Sequence, residues 1–576
     1  MASATRLTPP SIPAVFMIQG VLLMSAALAG CGSPPRTEAG LVAEHIRTRI
    51  EAAGVVADLR AAGEPVYASD VLPKFYERRL YSPAWSDEHG ATRLADDFLG
   101  ALRRADAEGL RAEDYHLAGI EAVLAAVRTD DAKSRPALAP DRWAELDLLL
   151  TDAFLVYGAH LQAGRVNPET LTPEWVSNRR TADIAAVLES ALASGSIARW
   201  LESLVPSQDG YRRLREALAR YRVVATGGGW PTIPDAATLQ RGDSGNAVGA
   251  LRERLRLEDD LVERAADDHG VDRFDAGLEL ALQKFQRRHG LTADGVVSAA
   301  TRAELNVPVE RRVEQLELNL ERWRWLPNDL GRRHIIVNIA AFELDVVDED
   351  AVVLSMRVVV GRPFSRTPVL SDTMRYLVLN PYWHVPRSIA AEELLPKVER
   401  NPAYLTRYKM RVFPSAGPDA QEIDPATVDW VAITPAHFPF WLRQDPGPLN
   451  ALGRVKFMFL NKYSIYLHDT PAGPLFGESQ RDFSHGCIRI EHPIALAAYL
   501  LRENPRWTRD SIVSALGDAV DLAVPLPEPM PIHLLYWTAW ADGDGTIEFR
   551  RDIHDRDAPL WKALRARPPT QLITAR

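Results

Sequence analysis

Cys487 is the residue whose chemistry and surroundings best suit a nucleophile. It lies in the run Phe483-Ser484-His485-Gly486-Cys487-Ile488-Arg489. Free cysteines are often buried and inert, but the Ser, His and Gly beside Cys487 would make a poor core and argue against that interpretation. A thiol attacks as its thiolate, which a nearby imidazole can generate by accepting the proton. The sequence therefore predicts covalent catalysis through Cys487.

His468, nineteen residues before Cys487, is the first candidate for that base. The segment 463–470 has strand character, and its period of two places Tyr466 and His468 on one face. His485 competes for the role, because on extended backbone it would share the face of Cys487 two residues later. The sequence leaves the choice between the two histidines open.

Two further residues complete the predicted catalytic group. Asp469, through its carboxylate or its backbone carbonyl, can bond the second ring nitrogen of His468 and orient the imidazole. Gly486 allows close backbone approach, so the N–H groups of Gly486 and Cys487 are predicted oxyanion donors. A zinc site of His468, His485 and Cys487 is an alternative, because such ligands occur at catalytic zinc. No His-Glu-x-x-His pattern supports it, and we expect no metal and no other cofactor.

Length and composition indicate a globular protein of several domains. At 576 residues the chain exceeds the size at which single cores stop growing, and we expect about three or four units. Hydrophobic residues at 46% and charged residues at 25% are near the globular average. The net charge of −10 provides no cationic footprint, so we expect no nucleic-acid partner.

The N-terminus predicts export. Residues 1–30 are typical of a secretory signal, and their apolar stretch is too short and interrupted for a spanning helix. The run Leu28-Ala29-Gly30-Cys31 resembles a bacterial lipobox, in which Cys31 is acylated; an ordinary signal peptide with an incidental cysteine is the alternative. We therefore expect a periplasmic, lipid-anchored protein. The outer membrane is favoured, because Gly32-Ser33 lacks the acidic residue that often retains lipoproteins at the inner membrane.

Changes of periodicity predict the order of domains along the chain. Apolar residues at helical spacing, such as Leu146, Leu150 and Phe154, predict an all-α scaffold. Period-two runs from residue 333 predict a β-rich domain, and its Pro-rich insertion is long enough to be a functional lid. The predicted units are a linker at 31–40, a scaffold at 41–225, a three-helix unit at 237–308, a linking helix at 309–332, a β-rich domain at 333–526 with its lid at 384–454, and a tail at 527–576.

Two of these units resemble known families. The runs at 239–245, 285–291 and 294–296 resemble the small three-helix peptidoglycan-binding domain, and a spacer without glycan affinity is the alternative. His468-Asp469-Thr470 followed by Ser484-His485-Gly486-Cys487-Ile488-Arg489 resembles the signature of the YkuD-like L,D-transpeptidase catalytic domain. The whole order is similar to that of the large Gram-negative L,D-transpeptidases, which implies a multidomain α+β protein.

The resemblance implies a two-step acyl transfer on the stem peptides of peptidoglycan. The nucleophile attacks the carbonyl between the third stem residue and the terminal D-Ala, and a side-chain amine of a neighbouring stem resolves the thioester. Carbapenem-type β-lactams are then expected inhibitors. By position, the implied roles are nucleophile for Cys487, base for His468, orienter for Asp469, donor contacts for Tyr466, Trp383 and Ser484, and either a substrate carboxylate contact or a structural ion pair for Arg489.

Three other functions stay open. An L,D-carboxypeptidase or cross-link hydrolase would use the same thioester with water as the acceptor. A Cys/His peptidase or amidase usually has its cysteine before its histidine, whereas His468 precedes Cys487 here. A non-catalytic lipoprotein would tether membrane to wall through residues 239–306 and would not need Cys487.

Overall fold

The fold is described by a computed structural model. It describes residues 37–53, 58–133, 140–172, 174–176, 179–235, 238–258, 260, 272–417, 419–517 and 520–568. The predicted signal peptide at 1–30 and Cys31 lie outside these residues, together with residues 32–36 of the predicted linker, so export and lipidation stay predictions. Within the described ranges, no helix is both long enough and apolar enough to cross a membrane.

The N-terminal domain is built around one long, largely buried helix that begins at Pro140. Proline suits a helix start, because its missing N–H would have no partner there. Leu146, Leu150 and Phe154 lie in the core, and two small hairpins add some β structure to the predicted all-α scaffold. The elements are α1 (Glu38–Ala52), β1 (Arg60–Ala61), β2 (Glu64–Pro65), α2 (Leu72–Arg78), β3 (Ser86–Asp87), β4 (Gly90–Ala91), α3 (Arg93–Leu102), α4 (Leu117–Lys133), α5 (Pro140–Ala163), α6 (Pro168–Leu171), α7 (Ile184–Ser194), α8 (Ile197–Glu202) and α9 (Asp209–Thr226).

Three short helices with a core of their own follow, namely α10 (Asn246–Arg256), α11 (Ala276–Arg288) and α12 (Ala299–Leu305). Asp275 and Ser298 cap α11 and α12 by accepting hydrogen bonds from backbone N–H groups of the first turn. The next helix, α13 (Val309–Arg324), packs against α9 and joins this unit to the β-rich domain. It ends eight residues before the predicted boundary at 332.

The β-rich domain contains one nine-stranded sheet and a smaller three-stranded sheet. The large sheet has the order β14-β7-β15-β13-β12-β8-β16-β5-β6, and β6 also pairs with β7, so the sheet curls back on itself around an apolar core. The strands are β5 (Arg333–Asn338), β6 (Glu343–Asp348), β7 (Ala351–Gly361), β8 (Leu370–Leu379), β9 (Trp383–His384), β10 (Met410–Phe413), β11 (Trp441–Gln444), β12 (Val455–Phe459), β13 (Leu467–His468), β14 (Asp482–Ser484), β15 (Ile488–Ile490) and β16 (Leu522–Leu535).

The predicted lid is a subdomain with a separate hydrophobic core. Strands β9, β11 and β10 form its sheet, which the irregular sequence pattern had not predicted. Its helices are α14 (Arg387–Ile389), a π-helical turn at Ala390–Leu394, α15 (Leu395–Arg400) and α16 (Ala403–Arg407). Tyr466 packs against the edge of this core, so the lid lies directly over the segment that carries His468.

The C-terminal region belongs to the body of the protein. The predicted boundary at 526 falls inside β16, which pairs with β8 on one side and β5 on the other. Helices α17 (Pro493–Leu500) and α18 (Arg509–Ala515) precede it, and β17 (Ala539–Ala541), β18 (Ile547–Phe549) and α19 (Asp557–Arg565) follow it. β17 packs on α9 and α13, so the predicted tail connects the sheet to the helical part. The predicted multidomain α+β fold is confirmed.

Candidate active site

Two short parallel strands place Cys487 beside the strand that carries His468. β13 and β15 pair with Leu467 opposite Ile488 and His468 opposite Arg489. Cys487 directly precedes β15 and its side chain is partly exposed. Because alternate residues of a strand share a face, Cys487 is expected on the side of the sheet occupied by Arg489 and His468.

The strand around His468 is shorter than the sequence pattern predicts. We expected a strand over 463–470, but only Leu467–His468 forms one. Ser464 has a φ of 55°, a left-handed conformation that turns the chain before the strand begins. Ile465 and Leu467 nevertheless lie in the sheet core, while Tyr466 packs against the lid. The side chains of residues 465–467 thus alternate between the sheet core and the lid as predicted, although these residues do not form a regular strand.

The His468 imidazole is buried and oriented by a backbone group. Its exposed fraction is 5%, and its Nδ1 lies 2.6 Å from the backbone carbonyl oxygen of Asp469. Burial lowers the pKa of His468 to about 3, and the positive charges of Arg489 and Lys456 act in the same direction. Because a carbonyl can only accept, Nδ1 carries the proton and the neutral ring keeps Nε2 as an acceptor.

The carboxylate of Asp469 does not orient the imidazole. It accepts hydrogen bonds from the backbone N–H groups of Arg454, at 2.8 Å, and Thr470, at 2.7 Å. Gly453 permits this packing, because a Cβ there would lie 2.4 Å from the Asp469 Cβ. Of the two roles that the sequence left open for Asp469, the structure therefore shows the one played by its carbonyl.

Cys487 lies among groups with opposing effects on its ionisation. Burial raises the pKa of the Cys487 thiol, while hydrogen bonds from the backbone and hydroxyl of Tyr466 and the charges of Lys456 and Arg489 lower it. The balance is a raised pKa, so the resting sulfur is a protonated thiol at neutral pH. Burial and the neighbouring sulfur also raise the pKa of the Tyr466 hydroxyl, which stays a hydrogen-bond donor. Tyr466 thus hydrogen-bonds the candidate nucleophile, and its contact with the donor stays a prediction.

Lys456 is a site residue that the sequence reasoning missed. Its Nζ lies 3.9 Å from the centroid of the Tyr466 ring, and it is opposite His468 in the pairing of β12 with β13. Burial lowers the pKa of Lys456, whereas the Cys487 sulfur raises it. A lysine between the buried Val455 and Phe457 was the available signal, because a half-buried cation in an apolar strand needs a partner.

Ser484 shapes the loop around the nucleophile. Its buried hydroxyl donates to the Cys487 carbonyl at 2.5 Å and accepts from the Gly486 N–H at 3.1 Å. These bonds give Ser484 an internal role, and its substrate contact stays a prediction. The Gly486 N–H donates to this hydroxyl, so of the two predicted oxyanion donors the Cys487 N–H is the better candidate.

Gly486 is required by the backbone conformation of this loop. Its φ is 110°, its carbonyl accepts a hydrogen bond from the Thr367 hydroxyl at 2.8 Å, and a Cβ would lie 3.3 Å from Ile465. We expect Gly486→Ala to lower the free energy of unfolding by about 1–3 kcal/mol and to slow acylation of the thiol. Urea unfolding and acylation rates measure both effects. Gly477→Ala is the control, because a Cβ there meets nothing within 4 Å; equal behaviour of the two variants would contradict the expectation.

His485 points to the lid. Its Nε2 forms a short hydrogen bond with Oε1 of Glu393, which lies in the π-helical turn of the lid. This contact ties the His485 ring to the lid, whereas the ring of His468 keeps Nε2 as an acceptor, so His468 is the better candidate of the two histidines. Trp383, predicted to line the donor pocket, is buried in the lid core with 9% of its surface exposed.

Arg489 is half-buried and lacks an ion-pair partner within the described part of the chain. Its Nε has no hydrogen-bond partner, and burial followed by the nearby Arg362 lowers the pKa of its guanidinium. The structural ion pair considered for Arg489 is therefore not seen. Among the described residues, no group of three or more His, Cys, Asp or Glu side chains is arranged to hold a metal ion.

The raised thiol pKa has a measurable consequence. We expect the rate at which iodoacetamide alkylates Cys487 to rise about tenfold per pH unit up to about pH 8 and to keep rising above it, because only the thiolate reacts and the pKa of the thiol is raised. Lys456→Met should react more slowly at each of these pH values, since a cation that favours the thiolate is lost. Intact mass of a Cys31→Ser protein follows the reaction. A plateau near pH 7, typical of a preformed thiolate, would refute the expectation.

Comparisons with known proteins assign the three units. Family models match residues 70–218 ("Scaffold domain"), 244–305 ("Putative peptidoglycan binding domain") and 332–521 ("L,D-transpeptidase catalytic domain"). A curated protein of Haemophilus influenzae, named "Putative L,D-transpeptidase", is 34% identical over 247 residues, which are 43% of this chain and 49% of that protein. The match thus spans about half the length of that relative.

Two solved structures are also similar to parts of the chain. An L,D-transpeptidase from Mycobacterium smegmatis is 13% identical, covers 35% of this chain and 58% of its own, and has a TM-score of 0.17. An L,D-transpeptidase from Xylanimonas cellulosilytica DSM 15894 is 15% identical, covers 52% and 98%, and also has a TM-score of 0.17. Scores this low add nothing to the family matches. Residues 332–521 are thus similar to the L,D-transpeptidase catalytic domain, by the description of the family model that they match.

Proposed function

We propose that this protein is a cysteine L,D-transpeptidase that cross-links the stem peptides of peptidoglycan. The donor is a tetrapeptide stem, and Cys487 forms a thioester with the carbonyl of its third residue while the terminal D-Ala leaves. A side-chain amine of a second stem then attacks the thioester, which joins two third-position residues directly. Acyl transfer from a peptide to an amine conserves the bond type, so no cofactor is needed.

His468 carries one proton in each of the two acyl-transfer steps of this scheme. Nε2 of His468 accepts the thiol proton as Sγ attacks, and the resulting imidazolium returns it to the amine of the departing D-Ala. In the second step the acceptor ammonium first loses a proton to solvent. Nε2 of His468 then takes a proton from the attacking amine and returns it to the Cys487 sulfur as the thioester breaks. A neutral imidazole is required at the start of both steps, which agrees with the lowered pKa of His468.

One observation carries the proposal: a neutral, oriented imidazole lies one strand away from a thiol that Tyr466 hydrogen-bonds and whose pKa the charges of Lys456 and Arg489 lower. Lys456 and Arg489 favour negative charge at sulfur, and they would stabilise the thiolate as the proton leaves. The N–H of Cys487 is the proposed oxyanion donor. Stabilisation of the thiolate and of the oxyanion can both occur without a preformed ion pair between Cys487 and His468.

Location and partners follow from the same chemistry. We infer a periplasmic protein whose residues 244–305 hold peptidoglycan while the catalytic domain acts on it. A lipid on Cys31 would tether it to a membrane, with the outer membrane favoured. Carbapenem-type β-lactams present a strained carbonyl, which Cys487 would open to give a stable acyl-enzyme.

Incubation with purified tetrapeptide muropeptides tests the proposal. We expect release of D-Ala, a mass increase at Cys487 equal to the acyl donor, and dimers joined between third-position residues, all resolved by mass spectrometry. Release of D-Ala with tripeptide as the only product would make the enzyme a carboxypeptidase. Absence of D-Ala release, with normal retention on peptidoglycan, would favour the non-catalytic tether.

A further inference from the structure

The lid reaches the nucleophile loop through the carboxylate of Glu393. Its Oε1 contacts Nε2 of His485 in a short hydrogen bond and lies 3.6 Å from Nη1 of Arg362. The side chains of Glu393 and His485 are 34% and 31% exposed, so water and solutes can reach this contact. A carboxylate that belongs to the lid is thus held by groups that flank Cys487.

Arg362 is positioned by the same loop that carries Cys487. Its backbone N–H donates to the Ser484 carbonyl at 3.0 Å, and its Nε donates to the Phe483 carbonyl at 3.2 Å. These two bonds direct the rest of the guanidinium to Glu393. The position of this cation therefore depends on the backbone at 483–484 and not on the lid alone.

Arg489 adds a second cation to the same region. Burial lowers the pKa of Arg489 most, Arg362 lowers it further, and Cys487 and Glu393 raise it, so Arg489 lies within range of the charges of all three. Glu393 is the acidic side chain that faces these cations among the described residues. His485 and Arg362 therefore contact one carboxylate of the lid, and Arg489 lies within range of its charge.

We propose that this cluster binds the terminal carboxylate of the donor stem, and that Glu393 occupies the position until the donor displaces it. The proposal rests on the proposed function, because the D-Ala that leaves carries a free carboxylate next to the bond that Cys487 breaks. Guanidinium groups bind carboxylates through directed N–H donors, so Arg362 is well suited to this contact. Displacement of Glu393 breaks its bond to His485 and releases this edge of the lid.

A donor with a free C-terminus is then preferred over one with a blocked C-terminus. A C-terminal carboxamide lacks the charge that Arg362 recognises and competes poorly with Glu393. The lid would thus cover the site and also select the donor, since it opens most readily for a ligand whose carboxylate replaces that of Glu393.

The test compares D-Ala release from a tetrapeptide muropeptide with release of D-alaninamide from the same donor amidated at its C-terminus. Arg362→Gln should lower kcat/KM about tenfold for the acid and leave the amide within about twofold, so that the preference for the acid collapses. Glu393→Gln should raise kcat/KM for the acid about threefold to tenfold, because a neutral amide competes less well for the cations.

Matched controls lie in the same segments. Arg366→Gln removes a cation four residues along the same turn, where Nε donates to Pro363, and Glu392→Gln removes an exposed lid carboxylate next to Glu393. Both variants should leave kcat/KM unchanged for the acid donor and for the amide donor. Suppose that the wild-type protein releases product. If Arg362→Gln then slows release from the acid and the amide equally, or if Glu393→Gln slows release from the acid, this inference alone is overturned. A wild-type protein that releases product from neither donor overturns the proposed function and this inference with it.

Discussion

Cys487→Ser will abolish D-Ala release, with a loss of at least about 10⁴-fold in kcat. The serine hydroxyl has the same shape but is far less acidic than a thiol, and the imidazole of His468, whose pKa is lowered to about 3, is too weak a base to activate it. The acylated form should also disappear from the intact mass spectrum, with carbapenem as well as with muropeptide. Circular dichroism should be unchanged, because the side chain lies at the partly exposed edge of the sheet core.

Cys31→Ser is the matched control, since it removes the other of the 2 cysteines in the chain. A protein expressed without its export signal should keep full D-Ala release with this substitution. If Cys487→Ser retained more than a tenth of the wild-type rate, the sulfur would not be the nucleophile. The catalytic group would then have to be sought elsewhere in the domain.

His468→Gln will reduce kcat about 10²–10⁴-fold at pH 7. Glutamine fills part of the same space but cannot accept the thiol proton, so the residual reaction depends on thiolate formed by solvent. Its rate should therefore rise with pH up to the raised pKa of Cys487, whereas the wild-type enzyme should show a much weaker increase. A loss caused only by altered packing would not change the shape of the pH profile.

Two other histidines give this experiment its controls. His492→Gln should leave the rate unchanged, because that side chain is 55% exposed and lies beyond β15. His485→Gln should affect the lid contact with Glu393 more than proton transfer. If His485→Gln produced the pH-dependent loss and His468→Gln did not, the assignment of the base would be reversed.

Local sequence was sufficient to select Cys487 and His468 as candidates, because each lies in a short run whose residue types suggest its chemistry. The neighbours of the sulfur were harder to predict. Lys456 comes from another strand, and Glu393 is 92 residues away from His485, so their proximity depends on how the lid docks on the sheet. The role of Asp469 also needed backbone geometry, since its carbonyl and its carboxylate can make the same bond.

The predicted end of the β-rich domain at 526 lies inside strand β16, and the sequence of that strand explains why. β16 contains Pro525 and Pro529, and prolines lack the N–H that a strand donates to its neighbour. The sequence pattern therefore indicated a break at 526. In the structure the pairing with β8 shifts register between Pro525 and Met530, and the strand then continues to Leu535. A register shift of this kind cannot be read from local periodicity.

The position of β16 also determines when the sheet can form during folding. Ile335 of β5 pairs with Ile532 of β16, so the sheet is completed by a contact between nearly opposite ends of the β-rich domain. Such non-local closure is slow, and until it occurs β5 and β8 present open edges that can pair with other chains. A fragment that stops at residue 521, where the family match ends, would keep those edges permanently. The catalytic unit should therefore be expressed with its C-terminal strand and the segment behind it.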